Sequence, residues 1–207
     1  MKKTALLIIV FGLALTACKQ SANAKSELVN QEDSVVVTDN AVEKSEAQKL
    51  IREVLKWADS DESIELLPVT SAKNDSIYTG FDKNKLQQNV AKLTNSGLFA
   101  KEFVENYNQI ILTLDKKLRN NDYGSWYIGD LPPFEFASGV NPWCLCQDNM
   151  DWNLVEVEQL QENEFYWKWG GLKADTHPSW KDFKYKFKVT IEDSKYKISY
   201  LEGFDIE

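Results

Sequence analysis

Apolar residues recur at helical spacing through residues 45–118 and at strand spacing in the last third of the chain. Ser45 and Gln48 form a capping-box pattern before an apolar stripe, which predicts a first helix from Ser45 to about Ala58. Asp82 is the predicted N-cap of a second helix that ends near Gly97. The third predicted helix has the clearest stripe, formed by Phe99, Phe103, Tyr107, Ile110, Ile111, Leu114 and Leu118.

From Trp152 onward the apolar period becomes two, which is typical of half-buried strands. Leu154–Leu160 and Phe165–Trp169 are predicted strands, and the alternation around Phe187 predicts a third. A turn at residues 192–195 leads into a fourth, making an antiparallel hairpin. Helices followed by a strand meander predict one α+β domain over residues 45–207. Its amino-terminal helices should pack on a curved carboxyl-terminal antiparallel sheet.

Two stretches between these elements have no regular period. Residues 63–80 contain Pro68 and Gly80, which interrupt any long element, and they stay unassigned. Residues 121–148, called the aromatic loop below, are rich in Gly, Pro and aromatic residues and are long for a connection inside a domain. Because the aromatic content argues against disorder, we expect the aromatic loop to have a function.

The order of elements resembles the cone-shaped fold of cystatin-like and nuclear-transport-factor-like proteins, which include the ketosteroid isomerases. More narrowly, Asn141-Pro142-Trp143 and Gln147-Asp148 resemble a motif of small bacterial lipoproteins that belong to an uncharacterised domain family. The similarity covers roughly residues 45–206. It implies a cone-shaped fold and a cell-envelope location but no activity, because such folds host both enzymes and non-catalytic binding proteins.

The amino terminus has the layout of a secretory signal. Lys2 and Lys3 precede the nearly continuous apolar run Ala5–Thr16. As a helix this run covers about 18 Å, which is too short for a bilayer core of about 30 Å. The following L-T-A-C sequence resembles the lipobox of bacterial lipoproteins, which implies cleavage before Cys18 and lipidation of its thiol.

We therefore expect residues 1–17 to be a lipoprotein signal peptide and residues 18–44 to be a lipidated amino terminus and flexible tether. The lipid on Cys18 would anchor the domain to a membrane. By analogy with enterobacterial sorting, Lys19 in place of Asp after the cysteine indicates the outer membrane, facing the periplasm. The alternatives are an ordinary signal peptide and an uncleaved anchor.

Charge and motifs narrow the class of partner. Without the signal peptide, 22 basic and 32 acidic residues remain, so the net charge is about −10. This acidity argues against nucleic acid or anionic lipid as a partner, because both carry phosphate. We expect no cofactor, because no phosphate-binding, calcium-binding or dinucleotide motif occurs. We also expect no metal, because only His177 is available to support the pair Cys144 and Cys146.

Candidate ligand contacts lie in the aromatic loop and where it meets the sheet. Aromatic rings can stack on a glycan, peptide or small apolar molecule, and a few polar groups would orient it. The predicted ligand-binding residues are Trp126, Tyr127, Trp143, Gln147, Asp148 and Trp152. The alternative is that the rings pack in the core and that Asp148 caps a turn.

Three functions remain open from these residues. We predict a non-catalytic binding domain, because no nucleophile motif such as G-x-S-x-G occurs. An enzyme is the first alternative: Asp148, desolvated among aromatic rings, would have a raised pKa and act as a general base, with His177 as a second group. The second alternative is an inhibitor or immunity-type protein that captures a cationic enzyme.

Cys144 and Cys146 have three open states: two buried thiols, a structural disulfide, or a redox-active pair. On a straight strand their Cα atoms would lie about 6.5–7 Å apart, at the limit for a disulfide. A turn would shorten that distance.

Overall fold

Three long helices occupy the first half of the described chain. The computed structural model describes residues 39–71 and 73–205, so the predicted signal peptide (1–17), Cys18 and the tether up to residue 38 lie outside the described residues. The helices are α1 (Asp39–Ala58), α2 (Lys83–Ser96), α3 (Lys101–Arg119) and the single-turn α4 (Pro178–Lys181). The three helices predicted from the apolar stripes are therefore present in the predicted order.

Helix α1 extends further toward the amino terminus than the sequence predicts. Residues 39–44, assigned above to the flexible tether, are helical and precede the expected start at Ser45. The Glu43 carboxylate accepts hydrogen bonds from the Asn163 backbone N–H (3.0 Å) and the Gln159 side-chain amide (3.1 Å). These contacts with a distant part of the chain stabilise the additional helical turns, and a local capping pattern cannot reveal them.

The ends of α2 follow the cap chemistry visible in the sequence. The Asp82 carboxylate accepts hydrogen bonds from the backbone N–H groups of Asn84 (2.8 Å) and Lys85 (3.2 Å). Gly97 ends the helix with a φ of +72°, a left-handed conformation that glycine adopts without steric cost. The predicted bounds of this helix are confirmed.

The stretch that the sequence analysis left unassigned contains two strands of a small antiparallel sheet. The strands β1 (Pro68–Ser71), β2 (Asn74–Phe81) and β3 (Trp126–Tyr127) pair in the order β1-β2-β3. The pairing of β1 with β2 shifts register on both sides of Thr70. Because such irregularities break the alternation of buried and exposed residues, the sequence carries no period of two here.

A buried carboxylate joins the small sheet to α3. Asp115 accepts hydrogen bonds from the Phe81 backbone N–H (2.8 Å) and from Arg119 Nε (2.9 Å to each oxygen). Burial alone would raise the pKa of Asp115, but the hydrogen bonds and the charges of Arg119 and Lys83 together hold it below its ordinary value. Gly80 makes this approach possible, because a Cβ there would collide with the Asp115 carboxylate.

The carboxyl-terminal third forms a four-stranded antiparallel meander. Its strands β4 (Val155–Gln161), β5 (Glu164–Trp169), β6 (Tyr185–Glu192) and β7 (Lys195–Leu201) pair in chain order. Along β6, Tyr185, Phe187 and Val189 are buried, whereas Lys186 and Lys188 between them are partly exposed. The alternation predicted from the sequence is therefore the inner and outer face of this sheet.

Helix α1 covers the outer edge of β4. The Val155 carbonyl accepts hydrogen bonds from Arg52 Nε (2.9 Å) and Nη2 (2.6 Å), and the Val157 N–H donates to Gln48 Oε1 (3.2 Å). Polar side chains of a helix thus take the place of a neighbouring strand. An edge satisfied in this way is protected from pairing with another chain.

The opposite edge, on β7, pairs with a short extended segment before α3. The Ile198 N–H donates to the Leu98 carbonyl (2.9 Å), and the Ala100 N–H donates to the Ile198 carbonyl (2.8 Å). Phe99 therefore lies in a β-bridge, and α3 begins at Lys101 rather than at Phe99.

The described chain is an α+β domain with helices packed on a carboxyl-terminal antiparallel sheet, as predicted. Helix α1 contacts β4 and β7, while α3 contacts β7 and β2. The largest fully buried side chains come from both layers and include Phe103, Trp167, Tyr185, Phe187 and Phe204. Among the described helices, none combines the length and apolar character needed to cross a membrane.

Candidate functional site

The three predicted tryptophans do not meet in one site. Trp126 packs on Tyr78 with ring centroids 4.5 Å apart, and Trp143 packs on Phe204 at 4.6 Å. Trp152 stacks on the indole of Trp169 in β5, and its Nε1–H donates a hydrogen bond to the carboxylate of Asp59, just after α1. All three indoles are 7% exposed or less, so each is chiefly an anchor that fixes a different point of the chain in the core.

The other predicted ligand contacts lie on the surface. Tyr127 is 51% exposed, and Gln147 is an exposed side chain whose Nε2 donates to the Gly139 carbonyl at 3.2 Å. Asp148 is also exposed, so it is not desolvated among aromatic rings. The general-base hypothesis therefore loses its structural premise. His177 offers no support for it, because this residue is exposed and caps α4 through Nδ1.

A buried tyrosine of the sheet holds the aromatic loop in place. The Tyr185 hydroxyl donates to the Pro142 carbonyl (2.8 Å) and accepts from the Gly203 N–H (2.9 Å). Burial raises the pKa of Tyr185 well above 10.0, which keeps this donor protonated. A Cβ at position 203 would collide with the Pro142 carbonyl, so glycine is needed for this close approach.

The next turn of the aromatic loop is closed by a disulfide. Cys144 and Cys146 are joined in the structure, with their Cα atoms 5.1 Å apart, because the turn brings them closer than a straight strand would. Leu145 between them has a φ of +49°. The Asn141 N–H donates to the Cys146 carbonyl (2.9 Å) and the Leu145 N–H to the Asn141 carbonyl (2.7 Å), so backbone hydrogen bonds support the same turn.

Between α3 and the aromatic loop lies an open cleft of about 720 Å³. Its residues combine aromatic rings, two prolines, one cation and one carboxylate: Leu114, Lys117, Tyr123, Pro132, Pro133, Phe134, Glu135, Phe136 and Ser138. The Lys117 ammonium lies 5.6 Å from the centre of the Tyr123 ring, a cation–π contact at the rim. This volume is in the range of small-molecule sites, and the lining mixes polar and apolar groups.

A smaller cavity of about 200 Å³ lies on the other side of Phe136. It is partly open to solvent, and its lining comes from α1, residues 63–66, α3, the aromatic loop and Phe204. Tyr107 and Trp143 are among the lining residues. Trp143 is therefore the one predicted ligand-binding residue that lines this cavity. Asn141 and Pro142 line it as well.

The polar residues that line this cavity are Ser63, Glu65, Tyr107 and Asn141. The Tyr107 hydroxyl belongs to a hydrogen-bond network. It accepts a hydrogen bond from Asn89 Nδ2 at 2.9 Å, and the same amide nitrogen donates to the Glu65 carbonyl at 2.8 Å. Burial raises the pKa of Tyr107 to about 12, and the Asn89 hydrogen bond opposes that rise only in part. The hydroxyl therefore keeps its proton at physiological pH.

Sequence reasoning misses Tyr107 and Asn89. Tyr107 belongs to the apolar stripe of α3 and is counted there as a core residue. Asn89 lies on the buried face of α2 with Leu86 and Leu93. A polar residue on an otherwise apolar face is the signal that could have found it, because buried polar groups need partners.

The described residues contain no group of three or more His, Cys, Asp or Glu side chains placed to hold a metal ion. The carboxylates that are buried, such as Asp115, bind backbone N–H groups and basic side chains instead.

Comparisons with known proteins leave the family open. No family model and no curated protein matches the chain. Among solved structures, the chain is similar to a protein of unknown function from Bacteroides thetaiotaomicron VPI-5482, with 13% identity and a TM-score of 0.40. The match covers 79% of this chain and 93% of that chain. A similarity this distant supports no functional conclusion.

Proposed function

We propose that this chain is a lipid-anchored cell-envelope protein whose domain binds a ligand at the aromatic loop without chemically changing it. The anchor rests on the pattern of Lys2, Lys3, the apolar run 5–16 and the L-T-A-C sequence that ends at Cys18. In this proposal, residues 18–38 connect the lipid to α1. The domain would then work near the outer membrane, on its periplasmic side.

One observation carries the binding part of the proposal. The aromatic loop is fixed by Trp143, the Tyr185 hydrogen bond and the disulfide, and it supplies walls to two cavities that share Phe136. Fixed walls reduce the conformational entropy lost on binding, which favours affinity. The larger cavity lies within the range of about 300–1,000 Å³ that is usual for small-molecule sites.

Matched tryptophan substitutions on α3 test the larger cleft. Lys117 lines it, whereas the neighbouring Lys116 does not. Native mass spectrometry of the full chain, incubated with a small-molecule extract of the cell envelope, should detect an adduct that Lys117→Trp abolishes and Lys116→Trp keeps.

A second matched pair of substitutions tests the smaller cavity. Ala58, at the end of α1, lines that cavity, and Ala91 is an exposed residue of α2. An adduct held there should be lost in Ala58→Phe and kept in Ala91→Phe. Absence of any adduct on the wild-type chain, or equal adducts on all four variants, would contradict ligand binding at the aromatic loop.

The anchor has an independent test. Labelled palmitate should be incorporated into the wild-type chain and not into Cys18→Ala, because acylation requires the thiol. Equal labelling of both chains would contradict a lipid at Cys18.

A second candidate function is the capture of a cationic protein. Tyr127, Ile128 and Leu131 are between 51% and 67% exposed and flank the carboxylate of Asp130. Exposed apolar side chains beside an acidic group suit a protein partner more than a buried small molecule. A partner captured at low salt should be lost in the Tyr127→Ser/Ile128→Ser/Leu131→Ser variant and kept in Leu112→Ser. Equal capture by both variants would contradict this role.

A further inference from the structure

The smaller cavity has a size that suits a single ring. Its volume of about 200 Å³ exceeds the roughly 150 Å³ of an apolar protein cavity known to hold one benzene molecule. The rings of Phe136, Trp143 and Phe204 contribute to its lining together with Ile64. One six-membered ring with two or three further heavy atoms matches this volume.

Tyr107 lines this cavity, and its hydroxyl is available as a hydrogen-bond donor. Because Asn89 Nδ2 donates both to the Glu65 carbonyl and to the Tyr107 oxygen, the orientation of the amide is set and the tyrosine oxygen acts as acceptor. The phenolic O–H has no hydrogen-bond acceptor among the described residues. A buried donor in this state favours a ligand that carries an acceptor.

The charge around the cavity argues against an anion. No lysine, arginine or histidine of the described residues lines it, and its one ionisable carboxylate, Glu65, is exposed at the rim. The Lys92 Nζ donates to the carbonyl of the lining residue Ser63 at 2.7 Å, so this cation is already engaged by a backbone oxygen. Transfer of a carboxylate into such an apolar space without a cationic partner would be costly.

We propose that the smaller cavity binds a neutral single-ring compound with a carbonyl oxygen, which accepts a hydrogen bond from the Tyr107 hydroxyl. This inference rests on the proposed binding function and specifies the class of ligand for one of the two cavities. The ring and the carbonyl of such a ligand contribute to binding in different ways: the ring fills the apolar space, and the carbonyl accepts a hydrogen bond from the buried donor.

Three probe molecules of similar size separate the contributions of the ring, the carbonyl and the charge to binding. Acetophenone has a ring and a carbonyl, ethylbenzene has the ring without an acceptor, and benzoate has a negative charge. Binding to the full chain is followed through the indole N–H resonance of Trp143, which is assigned with a Trp143→Phe variant. One detergent at fixed concentration keeps the partition of each probe into micelles the same for every variant.

Tyr107→Phe should raise the apparent Kd for acetophenone about tenfold and leave the Kd for ethylbenzene within about twofold. The unchanged ethylbenzene value shows that the variant keeps its cavity. Tyr166→Phe, on the outer face of the sheet, is the matched control and should change neither value. Benzoate should bind the wild-type chain at least tenfold more weakly than acetophenone.

An unchanged acetophenone Kd in Tyr107→Phe would overturn the role of the hydroxyl, and benzoate binding as tightly as acetophenone would overturn the selection against charge. Failure of all three probes to bind the wild-type chain would overturn the inference as a whole. The proposed function would survive that failure if the Lys117→Trp-sensitive adduct persisted, because that adduct reports on the larger cleft. Loss of both signals would reject the two together.

Discussion

The four-stranded sheet and the aromatic loop both place large rings in the same core, but they do so by different means. In the sheet, Trp167 and Phe187 are buried by the alternation of two regular strands. In the aromatic loop, Trp143 reaches the core from a segment that is held by the backbone hydrogen bonds of a turn, by a disulfide and by a hydrogen bond from the Tyr185 side chain. Irregular backbone can thus be fixed when its polar groups find specific partners.

The largest expected effect tests whether the aromatic loop contributes to the core. Trp143→Ala removes a 5%-exposed indole from its contacts with Trp57, Phe103 and Phe204, so it should lower the free energy of unfolding by about 3–5 kcal/mol. Tyr127→Ala, in the same loop but exposed, should cost about 0.5 kcal/mol or less. Denaturant titration measures the free energy of unfolding of both variants. Similar losses in the two would contradict the inference that Trp143 anchors the loop in the core.

A smaller effect is expected where the loop meets the sheet. Tyr185→Phe removes the hydroxyl that pairs with the Pro142 carbonyl and the Gly203 N–H, and it leaves the partly buried carbonyl and the buried N–H without that partner. The expected loss is about 2–3 kcal/mol. Tyr166→Phe on the neighbouring strand is the control, with an expected change within about 0.5 kcal/mol. Equal stability of the two variants in thermal unfolding would show that the loop does not depend on this hydrogen bond.

Asp115 tests a second attachment of the aromatic loop. It accepts a hydrogen bond from β2, and β2 pairs with β3, which lies in the aromatic loop. Asp115→Asn should cost about 1–3 kcal/mol at pH 7, which is less than a fully buried ion pair since Arg119 is half exposed. The folded-state pKa of Asp115 is lowered, so the wild-type advantage is present above about pH 4 and is lost as the pH falls through that lowered pKa. Unfolding of both chains between pH 7 and pH 2 measures this, and a difference that does not shrink in acid would contradict it.

The smallest effect should come from reducing the disulfide. Because it closes a loop of only three residues, it constrains the unfolded chain little, and reduction should cost about 1.6 kcal/mol or less. The hydrogen bonds between Asn141, Leu145 and Cys146 should hold the turn after reduction. Calorimetry with and without a phosphine reductant measures the difference. A loss comparable with that of Trp143→Ala would mean that the disulfide, rather than the hydrogen bonds, fixes the loop.

The sequence predicted the elements whose signal is local and missed those that depend on distant contacts. The cap residues Asp82 and Gly97 and the alternation along β6 were enough to locate α2 and the sheet. The small sheet was missed because its register shifts remove the pattern, and the early turns of α1 because Glu43 bonds with the far end of the sheet.

The candidate site was predicted less well than the fold. Aromatic rings in a loop indicate an ordered loop, but sequence alone does not tell a ring that only packs in the core, such as Trp126, from one that also lines a cavity, such as Trp143. Tyr107 was hidden because its spacing is that of a core residue. Only the three-dimensional placement of Asn89 beside it distinguishes a donor at a cavity from an ordinary buried ring.

We infer that the aromatic loop is a fixed wall, as rigid as the sheet beside it. Backbone amide hydrogen exchange of the full chain tests this most directly. We expect the N–H groups of Asn141, Cys144 and Leu145, each hydrogen-bonded within the turn, to exchange on the same slow timescale as those of β5 and β6. Exchange of these three groups at the rate of an unprotected chain, while the strands remain protected, would contradict it.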